Sequence, residues 1–267
     1  REKEMSSLLF DREYRTLPRS STSSLFPYER IEPLLKPSME CVSHYRKPEG
    51  LTDRFAVVSG WDIAWSERTG GDYLAKVTAL LDRFTMRKRI LDVNRWRGLS
   101  FLEQLELIRG EYERYGDDAV VIEDEGAQRI WIQVLGGGNE AGSIAGMNPF
   151  ATAPDDALDR LDLGGVPAVP HSMSKKQSFE SGVPGMLLDI EAGRWEIPFK
   201  RGRNFAVVQA FLSELEAYGW HDDKLEGVGE HDDLVTAWYH CWWGLEQLRR
   251  PGGERSRERR VPRKGVS

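Results

Sequence analysis

The segment Phe55-Ala-Val-Val-Ser-Gly-Trp-Asp-Ile-Ala64 is an almost continuous apolar run, the pattern of a strand buried on both faces. After a Gly70-Gly71 turn, Tyr73 to Phe84 and Arg89 to Trp96 predict a second and a third strand. The links are short enough for an antiparallel meander. The period then lengthens. Phe101, Leu105, Ile108 and Tyr112 fall four, three and four residues apart, a helix with one apolar face, and Gly116 ends it. Ala119 to Ile122 is a short buried strand, and Ala127 to Leu135 a helix stopped by Gly136-Gly137-Gly138. Residues 136–172, rich in Gly, Pro, Ala and Asp, read as loop with a strand at Val166 to Val169. Ser178 to Ala192 has a helical pattern despite Pro184, and Trp195-Glu-Ile-Pro198 reads as an edge strand because it ends in Pro. Phe205, Val208, Leu212 and Leu215 mark a further helix. Leu234, Trp238, Cys241, Leu245 and Leu248, spaced four, three, four and three, mark the last. This order predicts an α/β fold: a mixed central sheet, made of a three-strand meander plus parallel strands, with helices on both faces.

The flanks differ. Residues 1–50 lack sustained periodicity and carry Arg19-Ser-Ser-Thr-Ser-Ser24 and several Pro, so they read as a lead-in or linker with short ordered pieces and not as core. The body then runs over 51–248. Residues 249–267 hold eight Lys or Arg against Glu254 and Glu258, a basic tail of disordered composition. The chain opens on Arg1, which leads us to expect a fragment or a processed product. No run approaches 18 apolar residues, so no membrane helix is expected. Cys41 and Cys241 are too few for a disulfide framework or a Cys-rich zinc site, and the five His form no zinc-type pair in sequence.

Charge alone misleads. The formal net charge of −6 argues against a partner as acidic as nucleic acid. It is the sum of a +6 tail and a −12 body. Within that body, acids interrupt apolar runs at three places. Asp62 lies in the first strand, Glu123 at the exit of the fourth, and Asp232-Asp233 open the last helix just after His231. Each has an ordinary reading: a solvated strand end, a strand-exit acid, a helix N-cap. Together they are more specific. Clustered buried carboxylates raise each other's pKa, a penalty that a cation removes, and hard oxygen ligands suit Mg²⁺ or Mn²⁺. Two such ions roughly 3.5–4 Å apart clamp a phosphodiester for in-line attack by water.

Three segments resemble the nuclease domain of the large terminases of tailed bacteriophages, the DNA-packaging motor proteins of the ribonuclease-H-like superfamily. They are Val57-Val-Ser-Gly-Trp-Asp-Ile-Ala64, Val120-Val-Ile-Glu-Asp-Glu-Gly-Ala-Gln128 and Glu230-His-Asp-Asp-Leu-Val-Thr-Ala237. The third is the most specific. Ile190-Glu-Ala-Gly-Arg-Trp-Glu-Ile-Pro198 and the lead-in Ser24-Leu-Phe-Pro-Tyr-Glu29 are also similar to the family. Glu125 and Thr236 stand where the family favours Asn and Asp. The resemblance spans roughly residues 20–245.

The resemblance implies a ribonuclease-H-like fold and a metal-dependent endodeoxyribonuclease that cuts concatemeric double-stranded DNA during viral genome packaging. Asp62, Glu123, Asp233 and Asp232 match the metal-binding carboxylates, with Asp233 favoured over Asp232 as principal ligand. His231 matches a neighbouring position that helps hold metal or orient water. The cofactors are then two Mg²⁺ or Mn²⁺ ions. No Gly-x-x-x-x-Gly-Lys-Ser/Thr phosphate loop occurs in the chain, so no ATP site is expected in it. The missing ATPase domain, the portal and the small terminase subunit are the implied partners, and the host cytoplasm, transiently at the procapsid portal, is the implied location. Candidate phosphate contacts are Lys200, Arg201 and Arg203 in one turn, Lys175 and Lys176 before a helix, and Arg68 after the first strand. No base-reading motif is present, so little sequence preference is expected. Trp238 and Trp242 fit the core by spacing, whereas Trp243 points elsewhere. The competing readings are another nuclease of the superfamily, such as a Holliday-junction resolvase, and a non-catalytic portal-docking module.

Overall fold

The structure, a computed structural model, describes residues 23–63, 73–124, 129–136, 165–178, 181–221, 224–227 and 231–249. Its elements are β1 (Ser23–Ser24), α1 (Tyr28–Ile31), β2 (Leu35–Lys36), β3 (Phe55–Asp62), β4 (Leu74–Asp82), β5 (Arg87–Trp96), α2 (Phe101–Tyr115), β6 (Ala119–Glu123), α3 (Arg129–Leu135), β7 (Ala168–His171), α4 (Met186–Glu191), β8 (Trp195–Pro198), α5 (Phe205–Ala217), β9 (Tyr218–His221), β10 (Lys224–Gly227) and α6 (Asp233–Gln247). Seven strands form one sheet in the order β2-β8-β5-β4-β3-β6-β7. The β3-β4-β5 meander is antiparallel, and β6, β7, β8 and β2 join in parallel. A small second sheet, β1-β9-β10, stands apart. The mixed sheet expected from the sequence is therefore present.

Strand alternation assigns the two faces. Ala56, Val58 and Gly60 of β3 face α6. A side chain at Gly60 would overlap the carbonyl oxygen of Ala237 and the amide of Cys241, and one at Gly244 would lie 2.7 Å from Val58 and Val121. Two glycines, one on the strand and one on the helix, thus let α6 lie directly on the sheet. Trp238, Cys241, Trp242 and Leu245 fill the contact, all buried as their spacing predicts. The opposite face packs α2 and α3 through Trp61, Leu105, Ile108, Val120 and Trp131. Helix α2 begins with a Ser100–Glu103 capping box and ends at Gly116 with φ 62°, the left-handed conformation that favours glycine. That face also buries ions. The Lys76 ammonium is 2.8 Å from Asp92, bonds Glu111 as well, and lies 4.4 Å from the Tyr115 ring centre.

Several sequence expectations need correction. Residues 25–41 form the short ordered pieces expected but do join the core, because Leu25, Phe26, Ile31, Leu34, Leu35 and Cys41 belong to its α6 side. Their burial comes from short elements with no period to read. Strand β8 is internal, since β2 pairs with it in parallel. Ser178 to Ala192 is not one helix. A side chain at Gly182 would overlap the carbonyl oxygens of Lys175, Lys176 and Ser178, Val183–Gly185 forms a 3-10 turn around Pro184, and among the described residues of this stretch only Met186–Glu191 is α-helical. The strand expected at Val166 to Val169 begins at Ala168 and extends to His171. Arg68, Glu125, residues 1–22 and the tail from 250 lie outside the described residues. Among the described residues no helix is long and apolar enough to cross a membrane.

Candidate metal and nucleic-acid site

The acids meet where three elements end or begin. Asp62 closes β3 on the α6 face, two residues beyond Gly60. Trp61 is the register partner of Ile122, so Glu123 at the end of β6 stands beside Asp62 across a parallel pair. Asp232 is the N-cap of α6 and Asp233 its first residue. The close approach of α6 at Gly60 carries that helix start to the same sheet end. Asp62 responds to the crowding: burial, then the charges of Asp233, Glu123 and Asp232, hold its carboxyl well above the usual carboxylate range, and Lys176 pulls the other way. Each acid acts on Asp62 as a like charge.

Each partner is positioned. Asp233 Oδ2 accepts the backbone N–H of Tyr73 at 3.3 Å. His231 Nδ1 lies 3.6 Å from the same oxygen, while Arg97 donates to His231 Nε2 at 2.6 Å. Accepting at Nε2 leaves the neutral ring's proton on Nδ1, the nitrogen that faces Asp233. The Tyr73 ring meets His231 edge-on at 5.0 Å, and the guanidiniums of Arg95 and Arg97 lie over it at 4.2 and 3.7 Å. Asp232 Oδ2 accepts the Gly227 N–H at 3.2 Å, and Lys176 Nζ is 3.9 Å away. Among the described residues no three His, Cys, Asp or Glu side chains form a ready-made metal cage. The donor chemistry nonetheless fits a hard divalent cation, because the oxygens belong to carboxylates whose mutual repulsion such an ion offsets.

Behind the acids sits a residue the sequence reading missed. Glu214 of α5 is buried, accepts the Leu234 N–H at 2.9 Å and takes Arg95 at 3.0 Å. Burial raises its pKa to about 7 against the pull of the Leu234 amide, and Asp233 pushes it further up. A signal existed: Glu214 falls three residues after Phe211 on the buried stripe of α5. Tyr73 and Arg97 had none, since His231 lies 134 residues from Arg97.

The basic candidates separate. Lys176 joins the acids, over the Tyr218 ring at 5.3 Å. Lys175, next in the chain, lines a neighbouring cleft with His171 and Trp243. The turn of Lys200, Arg201 and Arg203 packs on another segment: Lys200 Nζ is 3.7 Å from Glu40, and Asn204 donates to Asp92 on the face opposite α6 at 2.8 Å.

The family model described as Terminase RNaseH-like domain matches residues 59–241. The fold is similar to that of the large terminase nuclease of thermophilic phage G20c with bound magnesium, at 19% identity over 84% of this chain and 98% of that one, with a TM-score of 0.52. The same nuclease with bound cobalt matches with equal coverage and TM-score. The large terminase nuclease domain of Thermus phage P74-26 matches at 18% identity over 86% of this chain and 98% of that chain, TM-score 0.50. No curated protein matches the chain in sequence. The matched stretch takes in more than half of the chain, from the middle of β3 to the middle of α6, and this protein belongs to the terminase ribonuclease-H-like domain family.

Proposed function

We propose that this chain is the nuclease domain of a viral large terminase, a metal-dependent endodeoxyribonuclease that cuts concatemeric double-stranded DNA with little sequence preference during genome packaging. The carrying observation is the convergence of Asp62, Glu123, Asp232 and Asp233 from β3, β6 and α6, with Asp62 driven upward by burial and then by the charges of the other three. Family membership supports the nuclease class. Magnesium and cobalt in the G20c nuclease support divalent metal as its cofactor.

Two Mg²⁺ or Mn²⁺ ions on Asp62, Glu123 and Asp233, with Asp232 at the rim, would supply Lewis acidity and an activated water at the phosphodiester. The chain's own groups prepare that place. The Tyr73 amide and the Nδ1 side of His231 orient Asp233. Arg97 holds His231 from behind and adds positive charge near the acids. Lys176 offers a phosphate contact beside Asp232. In the full protein an ATPase domain precedes this one, and the portal and small subunit bring it to the procapsid in the host cytoplasm.

The test is plasmid nicking. Supercoiled DNA incubated with the chain and Mn²⁺ becomes nicked and then linear; EDTA stops it, and Asp62→Ala lowers the rate by orders of magnitude. Metal-independent nicking, or equal nicking by the variant, removes the assignment.

A further inference from the structure

Beside the acid centre lies an open cleft of about 370 Å³. Sites for small ligands run from roughly 300 to 1,000 Å³, so this one suits a group the size of one nucleotide. His171, Ser172, Ser174, Lys175, Tyr239 and Trp243 line it. No carboxylate is among its described lining residues, in a protein whose body is strongly acidic.

Its position follows from strand register. His171, where the cleft begins, is the partner of Glu123 in the parallel β6-β7 pair. The turn after β7 then presents two consecutive lysines to two places: Lys176 to Asp232, and Lys175 to the cleft. Lys175, Ser172 and Ser174 are exposed on that turn, and the two hydroxyls bond each other at 3.0 Å. The floor is aromatic. Trp243 stacks on His171 with ring centres 4.2 Å apart and planes 15° apart. His171 is fixed from below by His240, Nδ1 to Nδ1 at 2.8 Å. On α6, Trp238 and Trp242 are buried, whereas Trp243 is only partly covered. A braced aromatic platform beside an exposed cation and two hydroxyls is the combination that holds a base by its face and its phosphate by charge.

We infer that this cleft holds one unstacked nucleotide of the DNA strand that passes the acid centre, its base on Trp243 and its phosphate on Lys175 and the Ser172 and Ser174 hydroxyls. The inference rests on the nuclease reading for the identity of the polymer. It adds that the strand next to the cut leaves the duplex.

Binding without cleavage tests it. In EDTA, the anisotropy of a short labelled oligothymidylate and of a blunt duplex is read against salt for the whole chain. Trp243→Ala weakens the single strand about tenfold and leaves the blunt duplex within about twofold. Trp243→Phe keeps most of the affinity. Lys175→Ala lowers the salt slope for the single strand by about one. Equal losses on both DNAs, a Phe variant as weak as the Ala variant, or an unchanged slope for Lys175→Ala overturns the inference. Lys175 is exposed, so its variant decides the matter even if Trp243→Ala unfolds. A chain that shows this pattern yet never nicks plasmid keeps the cleft and loses the nuclease reading; the converse loses only the cleft.

Discussion

Glu214 Oε2 accepts the backbone N–H of Leu234 at 2.9 Å, so a buried carboxylate from α5 caps the helix that carries Asp233. Asp232, the N-cap itself, makes no side-chain cap bond, and the foreign acid supplies what is missing. Glu214→Ala is expected to cost about 1–3 kcal/mol, the penalty of an unsatisfied buried donor. By loosening Asp233 it should also weaken Mn²⁺ binding by about 10–100-fold. Urea unfolding and calorimetric Mn²⁺ titration check the two parts. A stable variant with unchanged Mn²⁺ affinity would show that the cap does not position the ligand.

The metal-free centre is a site of stored repulsion. Burial and three neighbouring carboxylates act on Asp62. Replacing it by the neutral Asp62→Asn should raise the metal-free melting temperature by about 2–4 °C, equivalent to about 1 kcal/mol. The same variant should lose the rise that Mn²⁺ gives the unaltered protein. Differential scanning calorimetry with EDTA or Mn²⁺ reads both. A lower metal-free melting temperature would refute the repulsion.

Two buried acids should withdraw stability as pH rises through the weakly acidic range, against the opposite trend of His171 and His240, whose pKa values burial lowers. Burial lifts Asp117 from 3.8 to about 7, with the Ser59 hydroxyl pulling the other way. An acid whose folded pKa is raised binds its proton more tightly in the folded state. Its contribution is therefore complete below 3.8 and is lost as pH climbs through about 7. Glu214 acts in the same sense between 4.5 and about 7. Between these limits Asp117→Asn should shift the slope of urea midpoint against pH in the positive direction, because it removes one of the falling contributions. An identical slope in the variant would exclude Asp117 as a contributor.

Lys76 is fully buried between Asp92 and Glu111. Lys76→Met leaves two buried acids without their shared cation and is expected to destabilise the fold by about 3–5 kcal/mol. The triple change Lys76→Met, Asp92→Leu, Glu111→Leu should recover much of that loss. Denaturant titration compares them; equal destabilisation of both would mean that packing, not charge, sets the cost.

Gly60 lies against the backbone of α6. In Gly60→Ala the helix must move, at a cost of about 1–3 kcal/mol. Asp233 moves with it, so Mn²⁺ affinity should drop although no ligand has changed. Retained affinity would show that the helix start is held independently of Gly60.

What could be read from the chain was what interrupts a period. Asp62 and Glu123 break apolar strands, and Asp232-Asp233 precede a strong helical stripe, so local pattern exposed them. The meander and α6 were legible for the same reason. Groups whose meaning lies only in a distant partner were hidden. His171 meets His240 across 69 residues, and Arg97 meets His231 across 134. Leu25, Phe26 and Leu34 are core residues in segments too short to show periodicity. Strand β8 ends in Pro and reads as an edge, yet two residues of β2 cover it. Lys200, Arg201 and Arg203 show why a basic cluster is ambiguous in sequence, since one of its charges is spent on Glu40.

The last feature with reach beyond the folded state is the order in which the acids arrive. Asp62 and Glu123 sit early, on neighbouring strands, but Asp233 bonds Tyr73 from 160 residues further along. A chain made from its N-terminus therefore emerges with its centre unfinished. Only when residues 233–247 have been made and α6 has settled over Gly60 and Val58 does the full set of carboxylates exist. The carboxylate cluster is thereby absent from a nascent or truncated polypeptide, and forms in the same event that completes the core.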